Sequence, residues 1–167
     1  MTKRLVLLSA LSLFVFSCAQ TNVVPEKTQL QIRQFQTRTF DTNNTKMVMK
    51  AVLNVLQDDG FIVKNAEADL GLLNAERELD IESFGEKFWS IFFFGLNASW
   101  KKNSVLEATA NVSEFGEQTK VRMNFQAKIL DNKGRLVKVQ QIEDEKYYQE
   151  FFAKVDKGIF IEKEQIQ

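Results

Sequence analysis

Acidic residues at alternate positions raise the first question of chemistry in this chain. In the stretch AERELDIE, Glu76, Glu78, Asp80 and Glu82 recur every second residue. On a β-strand that spacing puts all four carboxylates on one face, about 6–7 Å apart. Such a row can hold a hard cation through its oxygens, or supply an acid and a base from neighbouring carboxyls. It can equally be a solvated strand face, its charge offset by Lys and Arg on adjacent strands. The glycine turn and Asp/Asn spacing of a calcium loop are missing, so the solvated face is the expected reading, and no metal is expected.

The absences narrow the chemistry further. There is no histidine, which removes every mechanism using imidazole as base or metal ligand. The one cysteine, Cys18, can form neither an intrachain disulfide nor a Cys-based zinc site. No glycine-rich phosphate loop and no Ser-His-Asp set can be assembled. The expectation is a protein that is not an enzyme and carries no cofactor. Formal charge is zero over the chain, and residues 1–17 hold Lys3 and Arg4 but no acid, so the remainder has 20 basic against 22 acidic residues. That balance argues against nucleic acid as a partner, which would need a basic surface.

A second candidate site is apolar. Seven of the 19 aromatic residues fall between Phe84 and Trp100, around the run EKFWSIFFFGLNASW. Phe88, Trp89, Ile91, Phe92, Phe93, Phe94, Leu96 and Trp100 are its candidate contact residues for membrane or partner. As a helix, Glu86 to Phe94 is apolar nearly all round; as a strand, both faces are apolar. Periodicity does not choose between them. Residues 88–94 span about 10 Å as a helix, far short of a hydrocarbon core of about 30 Å, so the run cannot cross a membrane. Three readings stay open: a piece of core folded over the sheet, a segment lying in the lipid interface, or a docking surface for another protein.

The elements that must position these residues follow from patterning. LQIRQFQTRTF (30–40) reads as a strand. Asp41 to Thr45 supplies turn and cap chemistry before a helix whose Met47, Val48, Ala51, Val52, Val55 and Leu56 form one apolar stripe ending at Gly60. FIVKNAEA and GLLNAEREL read as two strands, and VLEATANV as another after the aromatic run. In KVRMNFQAKIL, Val121, Met123, Phe125, Ala127 and Ile129 alternate with polar residues, the pattern of a half-buried antiparallel strand. DNKG (131–134) turns into RLVKVQQI. Tyr147, Tyr148, Phe151 and Phe152 fall at helical spacing in the last segment, where core packing is expected over an aromatic binding surface. The Asn-x-Ser/Thr triplets at Asn43, Asn97 and Asn111 read as chance. The expected fold is α+β in two layers: an antiparallel sheet of about five or six strands with two helices on one face, in the order β-α-β-β-insert-β-β-β-α.

The amino terminus sets the compartment. Lys3 and Arg4 precede twelve mostly apolar residues, Leu5 to Phe16, too few to span a bilayer and suited to a signal peptide over 1–17. The segment closes in VFSC, which resembles the bacterial lipoprotein signal, with Val15, Ser17 and then Cys18 in its places and Phe16 where that pattern carries a smaller residue. The resemblance implies fatty acylation of Cys18, and Ala19 after it implies release to the outer membrane, facing the periplasm. Residues 18–29 then read as the lipidated cysteine and a polar tether, and 30–167 as one domain with its apolar insert at 84–100. Eleven residues of flexible coil span about 17–20 Å.

TRTFDT, LQDDGF, LGLLNAE and YYQEFFAKVDKGIFIE resemble recurring blocks of a family of small bacterial outer-membrane lipoproteins, over most of 33–162. More loosely, a helix ending in Leu-x-x-x-Gly-Phe, a following strand and a glycine at 71 are similar to BamC-type domains of the β-barrel assembly machinery. These likenesses imply a helix-on-sheet fold and a scaffolding role with an envelope protein partner, with no catalytic residue carried over. The other expectation is a carrier that holds a lipid or other apolar ligand against the aromatic insert.

Overall fold

The computed structural model describes residues 27–79, 103–131 and 133–166. Cys18, Asp80, Glu82 and the aromatic residues from Phe84 to Trp100 lie outside the described residues.

The first described helix, α1 (Gln29–Phe35), stands where the sequence suggests a strand. Its cause is a reciprocal cap. The Thr28 hydroxyl accepts the Gln31 backbone N–H at 3.4 Å, and the Gln31 side chain accepts the Thr28 N–H at 2.8 Å. The expected strand over 30–40 is therefore only its last four residues, β1 (Thr37–Phe40).

Next comes α2 (Thr45–Asp58), capped by the Asn44 side chain, which accepts the Met47 N–H at 3.0 Å. Its apolar stripe is buried along its whole length. It ends in paired bonds, Phe61 N–H to the Leu56 carbonyl and Gly60 N–H to the Gln57 carbonyl, each 2.9 Å. Phe61 then packs into the core as the chain enters β2 (Ile62–Glu67), which is bulged between Val63 and Asn65.

The remaining strands are β3 (Leu72–Leu79), β4 (Asn103–Phe115), β5 (Gln118–Leu130) and β6 (Leu136–Gln141), followed by α3 (Glu145–Ile166). All pairings are antiparallel, in the order β1-β5-β4-β3-β2 with β6 also on β5. One edge of β5 is thus shared end to end: β1 takes Thr119 to Arg122 and β6 takes Gln126 to Leu130. At the β5–β6 turn the Asp131 carboxylate accepts the N–H groups of Lys133 and Arg135 at 2.8 and 2.9 Å. Among the described residues the fold is α+β, an open antiparallel sheet of six strands with three helices, where the patterning suggests two.

Alternation decides the faces. Leu73 and Ala75 of β3, Leu106, Ala108, Ala110 and Val112 of β4, and Val121, Met123 and Phe125 of β5 are buried in one core with α2 and α3. Phe125 is fully buried, its ring 6.1 Å from Phe61, 4.9 Å from Tyr147, 5.4 Å from Tyr148 and 5.2 Å from Phe151. Each such side chain contributes about 1.5–3 kcal/mol by leaving water. Gly71 makes the β2–β3 corner possible. Its φ is +64°, its carbonyl accepts the Val112 N–H at 2.7 Å, and a Cβ there would lie 1.9 Å from the Val112 carbonyl oxygen.

Candidate functional site

The acidic row divides at the end of β3. Glu76 and Glu78 lie in the strand, Glu76 beside Glu107 of β4 and Glu78 beside Val105, on the face turned away from the core. Lys64 approaches Glu76 at 3.6 Å, and Lys128 meets Glu107 at 3.0 Å. Burial raises the Glu107 carboxyl, but bonds from Gln126 and Lys128 outweigh it and hold the group below the usual carboxylate range. Among the described residues no group of three or more acids converges on a metal position. Around Glu107 this face carries opposite charges and amides, and Gln141 extends the group by donating to Asn124 Oδ1 at 2.9 Å.

On the core side of β3, Arg77 sits where an apolar residue would continue the pattern of Leu73 and Ala75. Its guanidinium lies 5.0 Å from the Phe61 ring centre and donates to the Asp59 carbonyl at the end of α2. Lys154 of α3 closes the group by pairing with the Asp59 carboxylate at 2.5 Å. Burial lowers the Arg77 pKa, opposed by nearby Tyr147 and Asp59. The Tyr147 phenol is pushed well above its ordinary value, first by burial, with Arg77 acting the other way. These contacts tie β3, α2 and α3 together just before the chain leaves β3. Sequence reading passed over Arg77; its interruption of the buried alternation of Leu73 and Ala75 was the available signal.

The aromatic residues of α3 are core. Tyr148, Phe151 and Phe152 are buried, and Tyr147 packs against them. Their outer flank borders a cleft of about 400 Å³ between α1, β1 and α3. One wall carries Gln31, Gln34 and Phe35; the other carries Glu145, Gln149 and Phe152. Thr37, Arg38 and Lys27 complete the lining. The Lys27 ammonium donates to the Glu143 carbonyl at 2.8 Å and lies over the Phe35 ring, while Arg38 pairs with Asp156 at 3.2 Å. Sequence reading missed this cleft, because it treats 30–35 as strand and so has no second helical wall.

The arrangement defines an α+β domain with a packed aromatic core, paired charges on the outer sheet face and a polar cleft beside α1. Among the described residues no helix is long and apolar enough to cross a membrane. No family model matches the chain, and no curated protein matches it. Among solved structures it is similar to a crystal structure of a TBP-like protein from Parabacteroides distasonis. The two share 11% identity over 74% of this chain and 90% of that one, with a TM-score of 0.37. A likeness at that level carries no functional argument.

Proposed function

We propose that this protein is a lipid-anchored, non-enzymatic interaction module of the bacterial envelope, held at the outer membrane through Cys18 and facing the periplasm. One observation carries the reading: the chain's single cysteine directly follows a basic and apolar leader that ends in VFSC. An exported thiol with no partner is a reactive liability, and acylation removes it. Lys27 is already fastened to the domain through Glu143, so only residues 19–26 separate anchor from fold. Eight residues behaving as flexible coil would span roughly 15 Å and keep the domain at the membrane surface. The likeness of its sequence blocks to small outer-membrane lipoproteins supports the same reading.

We take the module over the carrier on the likeness of those sequence blocks. Among the described residues interlocked rings around Phe125 pack between helices and sheet. The aromatic run at 84–100, outside the described residues, is read as the surface that meets a protein partner. A photo-reactive amino acid at Phe92, activated in living cells, tests this. A discrete protein adduct is expected; adducts to lipid alone, or intrachain products alone, would contradict it.

A further inference from the structure

We infer that the outward face of α1 is the surface the domain turns to the membrane, where Leu30 enters an anionic lipid interface and Arg33 meets the lipid phosphates. This surface extends the proposed anchor at Cys18 and rests on it. Residues 19–26 lead into Lys27, and Thr28 caps α1, so α1 is the first described element after the anchor. A coil that short would hold α1 within reach of the bilayer surface. At the effective concentration a short tether gives, a small face is enough to choose the orientation.

Two observations fit α1 to lipid. The first is that its apolar residues point both ways. Ile32 is 1% exposed, whereas Leu30, two positions earlier and so about 200° round the helix, is 76% exposed. No other large hydrophobic residue among those described is so exposed. The second is charge, which selects the kind of surface. Lys27, Arg33 and Arg38 are the charged residues from 27 to 40, with no acid among them. Lys27 and Arg38 have partners within the fold, but Arg33 is exposed and no acid among the described residues pairs with it. The adjoining cleft has a single acid in its lining, Glu145, which accepts from Gln149 at 3.0 Å. An outward apolar side chain among basic residues, with no acid on the element, is the pattern of a helix that lies in an anionic interface.

Photo-crosslinking tests this. The full chain is coupled through the Cys18 thiol to a maleimide-bearing lipid in vesicles of phosphatidylethanolamine and phosphatidylglycerol. The coupling supplies a tether whether or not cells acylate Cys18, so failure of this inference and failure of the natural anchor are separate results. A photo-reactive amino acid in place of Leu30 should give at least about fivefold more lipid adduct than one in place of Ile62. Ile62 is a matched comparison: it is 66% exposed on β2, at the opposite edge of the sheet from β1 and about 19 Å away at four strand spacings. Arg33→Gln should lower the adduct at position 30 about fivefold, the worth of one basic residue at an anionic surface. The same substitution should change nothing in vesicles of phosphatidylcholine alone. Equal lipid adduct at the two positions, no loss with Arg33→Gln in the anionic vesicles, or the same loss in both kinds of vesicle would overturn the assignment.

Discussion

The phenolic oxygen of Tyr148 accepts the backbone N–H of Phe125 at 3.1 Å, at the gap where neither β1 nor β6 reaches the edge of β5. A helix side chain thus completes a sheet. The Gln36 amide donates to the same oxygen at 3.3 Å, and the flanking backbone bonds run from Met123 N–H to the Gln36 carbonyl and from Ile142 N–H to the Phe125 carbonyl. Tyr148→Phe keeps the ring and removes the acceptor, leaving a buried N–H without a partner. The expected loss is about 1–3 kcal/mol in chemical denaturation. A change within about 0.5 kcal/mol would show that the hydroxyl does not bridge the seam.

The same two helix positions predict an alkaline transition. Tyr147 and Tyr148 are the chain's only tyrosines. Burial raises both phenols above the ordinary 10.0; Arg77 opposes the shift at Tyr147, and bonds from Phe125 and Gln36 oppose it at Tyr148. A raised phenol favours the neutral form in the fold. Its stabilisation is therefore fully present below pH 10 and is lost as pH rises through the folded values. Each tyrosine removes up to about 1.4 kcal/mol per pH unit in that window. Near-ultraviolet titration should show less tyrosinate at pH 10 in folded protein than in unfolded protein, the rest appearing together with unfolding. Equal ionisation of the folded and unfolded protein at pH 10 would contradict the packing.

Gly71 and Gly116 separate backbone strain from steric contact. Their φ angles are +64° and +62°, but a Cβ at 71 would strike the Val112 carbonyl, whereas at 116 nothing lies within 4 Å. Gly116→Ala should cost about 1–2 kcal/mol, the left-handed penalty alone. Gly71→Ala should exceed it by at least about 1 kcal/mol, because the β3–β4 register must shift as well. Thermal melts of the two variants check this, and equal losses would refute the close approach.

The fold was legible wherever one periodicity met one buried face. The five alternating residues from Val121 to Ile129 are all buried, as is the stripe from Met47 to Leu56. The misreading of 30–35 has a local cause: apolar and β-prone residues there suggest a strand, but Thr28 and Gln31 carry a capping-box signature that turns the segment into a helix. The shared edge of β5 was not legible, because it depends on which distant strands meet. Arg77 was equally hidden, since its place depends on Phe61 and Asp59 from another element. Of the candidate site residues named from sequence, Cys18 and the aromatic set lie outside the described residues, so the account rests there on their chemistry.

The proposed anchor at Cys18 is the central functional claim, and metabolic labelling with a palmitate analogue tests it most directly. Cells producing the natural chain should yield labelled protein in the outer-membrane fraction. Cells producing Cys18→Ser should yield unlabelled protein outside that fraction. Label retained on Cys18→Ser, or absent from the natural chain, would contradict the account.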